Sequence, residues 1–66
     1  MKTIGNIVKE FRQEMPGKVT QEQFGKLVGV PASVISDIER GIRTPSKQVA
    51  IELAKLTGMP LEVFIR

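Results

Sequence analysis

The chain has 66 residues, with 10 Lys and Arg against 7 Asp and Glu and no cysteine or histidine. Disulfides and the usual structural zinc ligands are therefore excluded as staples. A domain of about 60 residues buries only roughly 60% of its unfolded surface, so dense helix packing, helped by oligomerisation, must supply stability. The net charge of +3 favours an anionic partner only weakly, and three phenylalanines at core-spaced positions, Phe11, Phe24 and Phe64, leave little for the stacking platform of a single-stranded nucleic-acid reader.

In chain order, the first helix is expected over Thr3–Glu14 with Thr3 as its cap. Ile4, Ile7, Val8 and Phe11 recur at i, i+3, i+4 and i+7, an apolar stripe. Gly5 is a weak spot, because glycine inside a helix costs about 1 kcal/mol relative to alanine. Pro16-Gly17 stops the helix and turns the chain. The second helix opens on Thr20, with Gln23 three residues later completing a capping box. Phe24, Leu27 and Val28 form its expected apolar face, and Gly25 lies beside that face. A glycine there is either a tolerated surface residue or the sign of a neighbouring helix crossing closely. Gly29 supplies the left-handed residue that ends the helix.

Pro31 suits the first position of a third helix, which Gly41 caps. At about 100° per residue, Ser36, Asp37 and Arg40 cluster within about 60° of Ser33, with Ala32 at the flank. Val34, Ile35 and Ile38 lie opposite. Glu39 falls on that apolar side, where a carboxylate must be paired or it is expensive to hold. Thr44 caps a fourth helix that opens on Pro45, with Val49, Ala50, Leu53, Ala54, Leu56 and Thr57 on one face and Ile51 pointing with the polar residues. After Gly58, Pro60 opens a last short helix with Leu61, Phe64 and Ile65 at core spacing. No strand alternation or internal repeat interrupts this pattern. The sequence predicts an all-α fold: one domain over residues 1–66, five short helices, with a helix-turn-helix at 20–41.

A helix, a tight turn and a second short helix is the shape of a reader of double-stranded DNA. Residues Thr20-Gln21, Phe24-Gly25, Val28-Gly29-Val30, Ile35-Ser36, Ile38-Glu39-Arg40-Gly41, Pro45-Ser46 and Leu53-Ala54 strengthen that reading as a set. With them the chain from Ile4 to Ile65 resembles the phage Cro/repressor type of helix-turn-helix domain, the lambda-repressor-like (XRE-type) fold of many bacterial regulators. The resemblance implies a compact five-helix domain that acts as a transcriptional regulator, here a repressor. Its third helix would enter the major groove of a two-fold operator, commonly as a homodimer.

Carried onto this sequence, the resemblance places phosphate contacts at Thr20 and Gln21, where the start of a helix offers unpaired N–H groups and a favourable dipole. Arg40, Arg43 and Lys47 match the basic loop that clamps the backbone beyond the third helix, although a run of charge is often no more than a solvated face. Base reading falls to Ala32, Ser33, Ser36 and Asp37. The serines hydrogen-bond several base edges, Ala32 suits a thymine methyl, and Asp37 either accepts from a cytosine amino group or orients Arg40. These side chains are shorter than those of many relatives, so direct readout should be modest, with operator shape contributing. The family often pairs an arginine of helix one with a glutamate ending helix three; Arg12 and Glu39 match. It usually has alanine where this chain has Gly25.

Other functions have less support. An enzyme lacks its materials: there is no histidine, no cysteine and no glycine-rich phosphate loop, and the acids are dispersed. No cofactor or metal is implied. The rival reading is a protein-interaction module, such as an antitoxin that caps a partner and also binds its own operator. Its candidate partner surface, or equally a homodimer seam within the helical domain itself, is Ile51, Met59, Leu61 and Val63. No apolar run reaches bilayer length and the start does not read as a signal peptide, so a cytoplasmic protein with no membrane partner is expected.

Overall fold

The structure is a computed structural model and describes residues 3–65. Its elements are α1 (Ile4–Glu14), α2 (Gln21–Val28), α3 (Ala32–Glu39), α4 (Lys47–Thr57) and a 3-10 turn, Leu61–Val63. The described residues contain no strand, in keeping with the all-α class. The expected fifth helix is only that single turn. Phe64, directly after the turn, has φ −105° and ψ 0°, outside helical geometry, so the turn does not propagate.

Local chemistry sets the boundaries. Thr3 caps α1 by accepting from the Asn6 N–H at 3.1 Å. At α2 the capping box is complete: the Thr20 hydroxyl oxygen accepts from the Gln23 N–H at 3.1 Å, and the Gln23 side chain accepts from the Thr20 N–H at 3.0 Å. Such a cap stabilises by about 0.5–2 kcal/mol relative to alanine. Gly29, at φ +84°, ends α2 and starts the turn into α3. Pro31 is the residue before α3 rather than its first, and Arg40 rather than Gly41 occupies the C-cap. The start of α4 also differs from expectation. Ser46, not Thr44, is the cap, accepting from the Val49 N–H at 3.3 Å, so the helix opens at Lys47 and Pro45 stays outside it.

The core is Val8, Phe24, Val28, Ile35, Ile38, Val49, Ala50, Leu53 and Phe64, drawn from all four α-helices and the residue after the last turn. Each large side chain removed from water contributes about 1.5–3 kcal/mol. Phe11 adds an edge-on contact to Phe24, with ring centroids 6.4 Å apart. Two expected core residues lie outside: Leu27 is 52% exposed and Ile65 is 45% exposed. In α2 the buried face is Phe24, Gly25 and Val28, so its centre is rotated toward Gly25 and away from Leu27.

Two buried glycines let backbones meet. A Cβ on Gly25 would strike the Val30 carbonyl, so the element pressing on it is the turn running back over α2, not a crossing helix. A Cβ on Gly5 would lie 2.5 Å from the Ile38 carbonyl oxygen and 2.7 Å from that of Glu39. Gly5 therefore brings the start of α1 directly onto the end of α3. The residue that propensity marks as a weakness is what seats the two helices.

Candidate nucleic-acid interface

α3 has two unlike sides. Ile35 is fully buried and Ile38 is 1% exposed, which fixes how the helix is rotated. Ser33 and Arg40 are exposed on the other side, with Ala32, Ser36 and Asp37 half-buried. The four base-reading candidates and Arg40 are thus presented by one short helix, which the turn through Gly29 joins to α2.

The end of α3 is tied down by Glu39. Its carboxylate accepts from Arg12 Nε at 2.7 Å and Nη2 at 3.1 Å, a two-point ion pair, and the Arg12 Nη1 donates to the Val19 carbonyl at 3.0 Å. The side chains are 15% and 5% exposed. The hydrogen bond to Glu39, and after it the carboxylate's charge, raises the Arg12 pKa above the ordinary arginine value against the opposing effect of burial. A group whose pKa rises on folding loses its stabilising effect only as pH climbs through that raised value. The pair is therefore intact on the arginine side throughout the neutral range. No buried side-chain polar atom among the described residues lacks a hydrogen-bond partner.

The same carboxylate also reaches α2. Gln21 Nε2 donates to Glu39 Oε1 at 3.1 Å. One amide hydrogen of a phosphate candidate is thus spent on the protein itself, leaving the second N–H for a ligand. Thr20 accepts from Gln23 through its hydroxyl oxygen and keeps its own proton as a donor. Glu39 therefore joins three elements: it fixes the end of α3 against α1 and orients the side chain that opens α2.

Beyond α3 the chain turns tightly. The N–H groups of Ile42 and Arg43 both donate to the Asp37 carbonyl, at 2.9 and 3.3 Å. Asp37 does not engage Arg40; its carboxylate lies 3.5 Å from Arg43 Nη2. Lys47 is exposed as the first residue of α4. A cation at that positive end of the helix dipole is mildly unfavourable for the helix and well placed for an anion.

The candidate partner surface is less open than expected. Leu61 and Val63 pack partly buried against the core, Ile51 is half-buried, and Met59 is 36% exposed. Ile42, at 63%, and Leu27 are more exposed. Sequence reasoning missed Ile42 because a loop has no periodicity to read, and missed the link from Gln21 to Glu39 because it joins separate elements. No group of metal-binding side chains is found among the described residues, and no helix there is long and apolar enough to cross a membrane.

Comparison with curated proteins and with solved structures gives no match. A family model described as helix-turn-helix matches residues 8–64, a span that takes in α2, α3, the basic loop and α4. With nearly the whole chain matched, and the two helices and turn in place, the protein belongs to the helix-turn-helix family of XRE-type DNA-binding transcription regulators.

Proposed function

We propose that the 66 residues act as one DNA-binding domain of the Cro/repressor kind, which seats α3 in the major groove of a two-fold operator as a homodimer and represses transcription in the cytoplasm. The observation that carries this is the asymmetry of α3: Ile35, Ile38 and Glu39 lock one side, while Ser33, Ser36, Asp37 and Arg40 lie on the other. Thr20 and Gln21 at the start of α2, and Arg43 and Lys47 beyond α3, are the groups proposed to grip phosphates on either side.

Dimerisation follows from the modest reading surface. Eight helical residues with short polar side chains discriminate few base pairs, and a second copy doubles the contacts. Repression is the simplest consequence of such binding, since a domain seated on a promoter blocks it. The test is a salt titration of binding to an operator selected from a random duplex pool. Log affinity should fall with log salt at about −0.9 per phosphate neutralised. A flat salt response, or no selected sequence, rules the reading out.

The exposed Ile42, Leu27, Ile65 and Met59 favour a second reading, an antitoxin that also covers a protein partner. Light scattering at micromolar concentration separates the two. A dimer at that concentration supports the self-contained regulator, whereas a monomer that dimerises neither free nor on DNA supports the partner-binding one.

A further inference from the structure

Asp37 and Arg43 meet on the exposed side of α3, carboxylate to guanidinium, at 3.5 Å. The backbone brings them together: the Arg43 N–H and its neighbour's both bond the Asp37 carbonyl. The arginine is therefore anchored to the very residue its side chain approaches. Asp37 is about 40° round the helix from Ser33, on the reading side. Within α3 that side offers Ala32, Ser33 and Ser36 besides, none long enough for a two-point contact with a base; the exposed Arg40 at its C-cap is long enough, but no partner among the described residues holds its side chain. A guanidinium has five donors in a fixed fork and matches the paired acceptors on the guanine edge. Its contact with one carboxylate oxygen leaves most of those donors free, and the Arg43 side chain is 55% exposed. An unaccompanied Asp37 would be repelled by the phosphates of the groove; paired with Arg43 it is neutralised.

We propose that Asp37 is a positioning residue which holds Arg43 over the reading face, and that Arg43, rather than Asp37, hydrogen-bonds a base edge, guanine being the base whose acceptors fit it. The assignment rests on the DNA-binding reading and changes two roles within it: Asp37 ceases to be a base reader and Arg43 a phosphate clamp.

Operators selected from a random duplex pool by the wild type and by Asp37→Ala, Asp37→Asn, Arg43→Ala, Arg43→Lys, Arg40→Ala and the Asp37→Ala/Arg43→Ala double variant test it, with circular dichroism confirming that each is folded. The wild type should prefer a G·C pair at one position in each half-site. Arg43→Ala should cut that preference at least tenfold, and Arg43→Lys should not restore it, because an ammonium cannot make the paired contact. Both Asp37 variants should weaken preference at that same position, and the double variant should be no worse than Arg43→Ala alone. Arg40→Ala, in contrast, should weaken all sequences alike and reduce the salt slope by about 0.9. If Asp37→Ala and Arg43→Ala alter different base pairs, with additive effects, Asp37 reads a base itself and the positioning role is wrong. If Arg43→Ala weakens every sequence equally, Arg43 is a phosphate clamp. If the wild type selects no sequence, the DNA-binding reading itself fails, a result distinct from either of the others.

Discussion

Two arginine–carboxylate pairs flank α3, and they differ in almost every respect that matters. Arg12 and Glu39 meet at 2.7 Å with side chains 15% and 5% exposed, and Gln21 closes on the same carboxylate. Arg43 and Asp37 approach to 3.5 Å with side chains 55% and 30% exposed. The first pair has little water to fall back on, so losing either partner strands a charge. The second can exchange each partner for solvent, and an exposed pair of this kind contributes about 0–1 kcal/mol. One contact ties the end of α3 to α1; the other leaves most of the donors of its arginine exposed.

The sharpest way to break the contrast is to remove the buried carboxylate. Glu39→Ala leaves the Arg12 guanidinium without its partner and should cost about 3 kcal/mol, at the low end for a broken buried pair because Arg12 keeps some exposure. In a domain of this size that lowers the melting temperature by roughly 12–24 °C. Glu52→Ala on α4 should cost no more than about 0.5 kcal/mol. Equal melting temperatures for the two variants would mean that the clamp does not matter.

Next in size is Gly5→Ala. Helix propensity alone says that this substitution stabilises α1 by about 1 kcal/mol. The packing says the reverse, since the new methyl would sit 2.5 Å from the Ile38 carbonyl and force α1 away from the end of α3. Overpacking of this kind costs about 1–3 kcal/mol, and the shift also stretches the Arg12–Glu39 contact. A net loss of about 1–2 kcal/mol in chemical denaturation is expected. A net gain would show that the crossing has slack.

Gln21→Ala should have a smaller effect on stability, about 1 kcal/mol, for one hydrogen bond on a carboxylate that keeps its main partner. Its effect on DNA affinity should be the larger of the two, because it also removes a proposed phosphate donor. If stability falls and affinity does not, Gln21 serves only the clamp.

The contrast between the pairs was only half legible in the sequence. Glu39 among apolar neighbours on a helical wheel already demands a partner, and the family pattern points to Arg12. The capping box at Thr20 and the inward side of α3 are equally readable, because both follow from spacing within one helix. What spacing cannot show is glycine. Neither Gly5 nor Gly25 carries hydrophobicity, so the periodic pattern shows nothing buried at Gly5 and marks Gly25 only by its place beside the apolar face, although both are buried. That missing signal tilted the expected face of α2 toward Leu27, which faces water. The expected start of α4 lies two residues early for another reason: Thr44 before Pro45 has the chemistry of a cap, but Ser46 is the residue that caps the helix. The Asp37–Arg43 contact depends on a loop path that no periodicity encodes.

The smallest expected effect is the most informative about Asp37. It stands in the last turn of α3, where a negative side chain faces the negative end of the helix dipole and costs about 0.3–1 kcal/mol. The exposed contact to Arg43 returns a similar amount at best. Asp37→Asn should therefore change stability by less than about 0.5 kcal/mol in either direction. Raising salt should not widen the gap between variant and wild type, since screening weakens both terms together. A loss near that of Glu39→Ala would make the two pairs alike and give Asp37 a structural reason to be there. With no such loss, folding gives no reason for an acid at that position, and its purpose lies in binding, where operator selection separates a base contact by Asp37 itself from the positioning of Arg43.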